Sequence, residues 1–272
     1  MFEMDQAFSA MHDWLSWVNE NAFVGNTEHG AALARRIIGQ GFVEPLTRLN
    51  VKPNDILPDA SGNWREGIIA LGKNCRTRAV LRLIEERVEG RERSGLRIYA
   101  TEAVTSLALC LRGLFPRFLG SEYASTDEYR DELYPIPHQD LTQLTLKSGV
   151  FDIVTTNEVL EHVPSIDAAL LEIARVLKPG GWHIGTHPFA FMNETGTVRA
   201  EMAGGHVKHL MEPEYHGNPV GSPSLVFETP GWDILQRARL AGFSAAHMRF
   251  VASEQYGYVT ENTGVFVLCC RK

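Results

Sequence analysis

Glu158, Glu161 and His162 stand at i, i+3 and i+4 in the middle of the chain. On a helix that spacing turns two carboxylates and an imidazole toward one side. Such a set suits a divalent ion, which would bind adjacent hydroxyls of a second molecule and lower their pKa. Without an ion, histidines are the residues for moving a proton near neutrality. His162, His187 and His216 are the candidates for that role, with His206 and His209 in the same histidine-rich stretch, GGHVKHLMEPEYHGNPV at 204–220. A lone histidine near a helix start is often just a satisfied structural group, so position must decide.

These side chains need a scaffold that carries them to one edge. Residues 151–189, FDIVTTNEVLEHVPSIDAALLEIARVLKPGGWHIGTHPF, read as a buried strand, a loop, an amphipathic helix, a Gly-Gly turn and a second buried strand. That is one step of a wound α/β sheet. Upstream, residues 96–99 are a first strand, 104–115 its helix, 120–123 a second strand ending in an acid, and 137–141 the end of a third. Downstream, 232–241 is a helix, and 246–252 with 264–270 a closing strand pair. Residues 190–231 show no period, and a loop that long is unusual unless it functions. Ahead of the sheet, the apolar spacing of Phe8, Met11, Trp14, Leu15 and Val18 predicts a helix over 5–22; others follow at 28–38 and 76–88, with a loop at 50–63.

Composition narrows the function classes. With 26 Lys and Arg against 33 Asp and Glu, the net charge of −7 speaks against broad binding of nucleic-acid phosphates. No run of eighteen apolar residues is present, and the N-terminus is acidic, which argues against a membrane span or secretory signal. Cys75, Cys110, Cys269 and Cys270 form no CxxC pair, and free thiols fit a cytoplasmic protein.

In their order and spacing, Phe151-Asp152, Leu160-Glu161-His162-Val163 and Arg175-Val176-Leu177-Lys178-Pro179-Gly180-Gly181 resemble the middle of the class I S-adenosylmethionine-dependent methyltransferases, of the type 11 kind. The resemblance implies a Rossmann-like, doubly wound seven-stranded sheet over 95–272, with a helical N-terminal extension at 1–94 and a lid-like insertion at 190–231. It implies S-adenosylmethionine as cofactor and sets of residues to hold it. Glu122 takes the place of the acid that accepts the ribose hydroxyls, beside Tyr123. Asp140 takes that of the adenine amino group's acceptor, with Leu141 against the ring. Asn157 and Glu158 follow the fourth strand, where the methionine ammonium is met. The family's acid and Gly-x-Gly-x-Gly loop is replaced by Glu102-Ala103-Val104-Thr105-Ser106, with Glu102, Ala103 and Thr105 as its contact residues and no glycine. That version resembles a subgroup associated with sugar and surface-polysaccharide pathways.

Methyl transfer to oxygen needs an aligned hydroxyl and one proton acceptor. The histidines and carboxylates of the expected pocket favour a hydroxyl on a small polar molecule, a sugar or related metabolite. The Glu-x-x-Glu-His spacing also resembles metal-dependent relatives acting on vicinal hydroxyls, although Leu-Glu-His-Val recurs in relatives without metal. The extension at 1–94 leaves open a pocket cover, plain packing or a homodimer contact. The rival reading is a scaffold or sensor subunit that has kept the fold and lost turnover.

Overall fold

The computed structural model describes residues 1–57 and 67–272. Seven strands form the central sheet: β1 (Glu3–Phe8), β2 (Arg97–Ala100), β3 (Arg117–Gly120), β4 (Phe151–Asn157), β5 (Leu177–Thr186), β6 (Ala245–Ser253) and β7 (Val265–Arg271). Their order is β1-β6-β7-β5-β4-β2-β3. β2 pairs in parallel with both β3 and β4, and β4 with β5. The chain therefore steps from β2 to β3 on one side and then to β4 and β5 on the other. A crevice opens outside the carboxyl ends of strands at such a reversal. This is the Rossmann-like class expected from the sequence.

By its internal contacts the chain divides into two compact units, Met1–Glu89 with His247–Leu268, and Gly90–Ala246 with Cys269–Lys272. In the first, the expected single helix over 5–22 is a strand followed by a helix, Met11–Glu20. β1 lies antiparallel to β6, from Glu3 opposite Ser253 to Phe8 opposite Met248. The buried Trp14 ring meets Phe8, Phe250 and Phe266 at 5.0–5.5 Å. The helix Thr27–Gln40 is capped by Asn26, whose side chain accepts the His29 N–H, and Cys75–Val88 is capped likewise by Asn74. Of the loop expected at 50–63, Asn50–Val51 pairs with Phe42–Val43 and Ile56–Leu57 with Ile69–Ala70. Residues 58–63 lie outside the described residues.

In the second unit β4 is buried from Phe151 to Thr156, as a strand covered on both faces must be. Ser165 caps the helix Ile166–Val176 by accepting the Ala168 N–H, and Ile166, Ala169, Leu170 and Ile173 form its buried face. The third strand expected at 137–141 is reduced to one bridge, His138 opposite Glu122. Pro135 and Pro137 bring no N–H to a ladder, which is why it goes no further. The sheet reaches seven strands through β1 instead. The insertion at 190–231 is built from short antiparallel pairs, the longest being Ala200–Ala203 with His206–His209.

Candidate active site

The crevice at the carboxyl ends of β2 and β4 is a cleft of about 940 Å³, solvent mouth included, within the range of small-molecule sites. Its walls include Glu102, Thr105, Glu122, Tyr123, Asp140 and Leu141, with Asn157 at the end of β4 and Glu158 and His162 beyond it. Ala103 is buried just behind this wall. Nine of the twelve side chains singled out as catalytic or cofactor-binding thus share one cavity; Ala103, His187 and His216 do not line it.

The loop after β2 is held without glycine. Glu122 accepts the Ala103 N–H at 2.7 Å and the Val104 N–H at 3.3 Å, both on Oε1. The room comes from the neighbouring strand. A Cβ on Gly120 would lie 2.7 Å from the Glu102 carbonyl oxygen and 3.1 Å from Ala103 Cα, so only glycine lets the loop lie that close. Glu102 is buried; Thr105 donates to its Oε2, while Oε1 has no hydrogen-bond partner. Burial pushes its carboxyl from 4.5 up to about 7, against the Thr105 bond and with help from the charges of Glu122 and Glu158. Glu122 is also raised by burial, opposed by its two backbone N–H donors.

Asp140 uses Oδ1 for its own turn, accepting from the Thr142 N–H at 2.8 Å and hydroxyl at 2.7 Å. Thr186 donates to Asn157 Oδ1, so that side chain bridges β4 and β5 and does not cap a helix. Glu158 has φ +56°, the left-handed region that costs a non-glycine residue about 1–3 kcal/mol and that clusters at functional sites. The backbone therefore turns at Glu158, and only Leu160–His162 forms a short 3₁₀ helix. The expected helical face of Glu158, Glu161 and His162 does not form. Glu161 and His162 are joined by His216 instead, with one ligand atom from each inside a 4.8 Å group.

The hydrogen-bond partners of this group assign the donor nitrogen of each ring. His162 Nδ1 lies 2.9 Å from the Leu225 carbonyl, which can only accept, so Nδ1 carries the proton. In the neutral ring Nε2 then turns a lone pair toward Glu161 Oε1 at 3.4 Å. His216 donates from Nε2 to the Glu214 carboxylate at 3.1 Å, and its Nδ1 lies 3.7 Å from the same Glu161 oxygen. Glu161 is 0% exposed, and neither of its oxygens has a hydrogen-bond partner. Three lone-pair donors converge, a set that fits a divalent ion or a shared proton. His187 is buried with both nitrogens unpartnered; burial lowers its pKa to about 4, against the pull of Glu161, and keeps it neutral. His206 and His209 are exposed. Sequence reasoning missed Gly120 and the cleft-lining Ser121, Asn218 and Val220; a glycine two residues before an acid was the available signal for the first.

The cleft's donor set has a cationic preference. Three carboxylates crowd one end, and one buried oxygen lacks a partner. S-adenosylmethionine brings an ammonium, a sulfonium and two ribose hydroxyls, and these residues fit it.

Residues 117–185 match the family described as methyltransferase domain. They run from β3 through β4 to the penultimate residue of β5. An 80-residue stretch is 38% identical to the ubiquinone biosynthesis O-methyltransferase of Bordetella avium, covering 29% of this chain and 31% of that protein. A 34-residue stretch is 53% identical to the protein of the same name from Thiobacillus denitrificans, covering 12% and 15%. The chain thus matches less than a third of the length of these curated relatives. Among solved structures, an S-adenosylmethionine-dependent methyltransferase from Mesorhizobium loti is similar over 71% of this chain and 98% of that one, at 15% identity and a TM-score of 0.40. No helix among the described residues is long and apolar enough to cross a membrane.

Proposed function

We propose that this protein transfers the methyl group of S-adenosylmethionine to a hydroxyl oxygen of a small molecule. The observation that carries the reading is the carboxylate-walled cleft at the strand-order reversal, beside the matched domain. The cofactor supplies an activated methyl group on sulfur. Glu122 would hold its ribose hydroxyls through Oε2, since Oε1 already holds the loop. Glu102 and Glu158, with Asn157 nearby, would receive the ammonium; Asp140, Leu141 and Tyr123 would receive the adenine end, and Ala103 and Thr105 keep the loop tight. His162 accepts the hydroxyl proton at Nε2, and Glu161 beside it stabilises the resulting imidazolium, as a carboxylate does for a catalytic histidine. His187 and His216 complete the imidazole shell around Glu161.

The curated relatives are named for O-methylation, which supports oxygen over nitrogen as the accepting atom. The polar rim of the cleft suits a polar reacting group on the acceptor, such as a sugar or related metabolite carries. A second reading rests on the converging lone pairs: a divalent ion held by Glu161, His162 and His216 would supply Lewis-acid chemistry to an acceptor hydroxyl in place of the histidine base. A cytoplasmic location and a homodimer belong to the same proposal.

Calorimetric titration tests it. S-adenosylmethionine and S-adenosylhomocysteine are expected to bind in the micromolar range, and Glu122→Ala to weaken both by roughly 30- to 100-fold, the loss of a charge-assisted contact of about 2–3 kcal/mol. Folded protein that binds neither ligand would leave the scaffold reading in its place.

A further inference from the structure

A second cavity of about 1390 Å³, open solvent at its mouth included, adjoins the cleft and shares Tyr123, His162, Asn218, Val220 and Ser224 with it. A molecule in the second cavity can therefore reach the first past His162. The chemistry of its walls is different. Tyr129 and Leu133 line one part, Met202 and Val207 another, and Leu225 and Phe227 a third. Glu132 and His162 are the only acid and imidazole among its lining residues. Met202 and Val207 are cross-strand partners in the hairpin 200–209, 47% and 43% exposed, so each is half sheltered and half offered to whatever lies against it. Tyr129 and Ser222 join hydroxyls at 3.2 Å and tie the helix Asp127–Glu132 to the 218–224 segment that lines both cavities.

A bare sugar does not match these walls. Its hydroxyls would find Ser125, Asn218, Ser222 and Ser224, and those turned to Met202, Val207, Leu225 and Phe227 would be desolvated without partners, which is costly. An apolar chain or ring would cover the same surface and gain by it.

We infer that the second cavity holds the body of the methyl acceptor, and that the acceptor is amphipathic: a hydroxyl-bearing head beside His162 and an apolar body against Met202, Val207 and Phe227. This rests on the methyl-transfer reading above and names the substrate class for it. The O–C bond forms as the methyl C–S bond breaks, the electron pair of the latter stays on sulfur, and the hydroxyl proton passes to His162 Nε2.

The test pairs heads with and without a tail: phenol against 4-hexylphenol, and glucose against hexyl glucoside. Each is titrated into the full chain saturated with S-adenosylhomocysteine, and methylation is followed with radiolabelled S-adenosylmethionine. The hexyl compounds are expected to bind on the order of tenfold tighter than their parents, the equivalent of two methylenes buried. Val207→Asp, at a half-exposed strand position that a charge can occupy, is expected to erase that gain and leave S-adenosylhomocysteine affinity unchanged. Met202→Asp is the second variant. Equal binding of hexyl and parent compounds, or a gain that survives both variants, overturns the assignment. The methyl-transfer reading fails by a different result, the absence of S-adenosylhomocysteine binding. A tail gain in protein of that kind would mark an apolar ligand site and overturn the acceptor role.

Discussion

Arg78 and Glu161 are both without exposed surface, one in each compact unit, and their surroundings differ in kind. Arg78 donates from its two terminal nitrogens to the carbonyls of Ile68, Lys73 and Gly257 at 2.7–3.0 Å, and its guanidinium lies 4.7 Å from the Phe42 ring centre. Only its Nε lacks a partner. Glu161 has no hydrogen bond on either oxygen and faces two imidazoles at 3.4 and 3.7 Å. A buried charge by itself says little. Its saturation separates a residue that holds the chain together from one kept ready for a ligand or proton.

The contrast can be broken most easily at Arg78. Arg78→Ala takes a charged donor from three buried carbonyls, of which that of Lys73 keeps the Ala70 N–H, and is expected to cost about 3–5 kcal/mol in urea unfolding. S-adenosylhomocysteine affinity of the folded fraction should not change. A cost under about 1 kcal/mol would remove the distinction.

Glu102 sharpens it through pH. The native carboxyl, raised from 4.5 to about 7, holds a proton that the unfolded chain releases. The resulting stability is full below pH 4.5 and is lost as pH rises to about 7. Between pH 4 and pH 8 the wild type is expected to lose about 2–3 kcal/mol relative to Glu102→Gln, which carries no such proton. Cofactor binding runs the opposite way, because an ammonium favours the ionised acid. Wild-type affinity for S-adenosylhomocysteine should fall as pH drops below 7, and that of Glu102→Gln should stay flat and weak. Parallel pH profiles for the two proteins would show that Glu102 does not meet the cofactor.

The smallest effect is expected at Glu161. Glu161→Gln removes a buried unpaired charge and should leave metal-free stability unchanged or raise it by about 1 kcal/mol. The same variant should lose methyl transfer and any stabilisation that Mn²⁺ gives the wild type. A strongly destabilised Glu161→Gln would put Glu161 in the same class as Arg78.

The step from β4 to β5 was legible because Ile153–Thr156 is a continuous β-branched run, and the spacing from Ile166 to Val176 is purely helical. β1 was not. The apolar residues after Phe8 belong to the helix Met11–Glu20, and what holds β1 in place is backbone pairing with β6, which leaves little mark on side-chain pattern. Glu102, Glu122 and Asp140 could be found from strand ends. The Glu161, His162 and His216 group could be found only in part, since a helical count assumed a backbone that the left-handed turn at Glu158 interrupts. The histidine-rich segment read as polar, yet His206, His209 and Glu212 are exposed, and the second cavity takes Met202, Val207 and Phe227 from the same insertion.

Gly120, and not residue 103, is the position at which this loop tolerates no side chain. A glycine gained at Ala103 would be tolerated with Gly120 in place, since it only loosens a loop that already fits. An alanine gained at Gly120 would drive its Cβ to 2.7 Å from the Glu102 carbonyl and push the loop off Glu122. A glycine at 103 would not relieve that clash, because the atoms in the way, the Glu102 carbonyl oxygen and the Cα of residue 103, belong to the backbone.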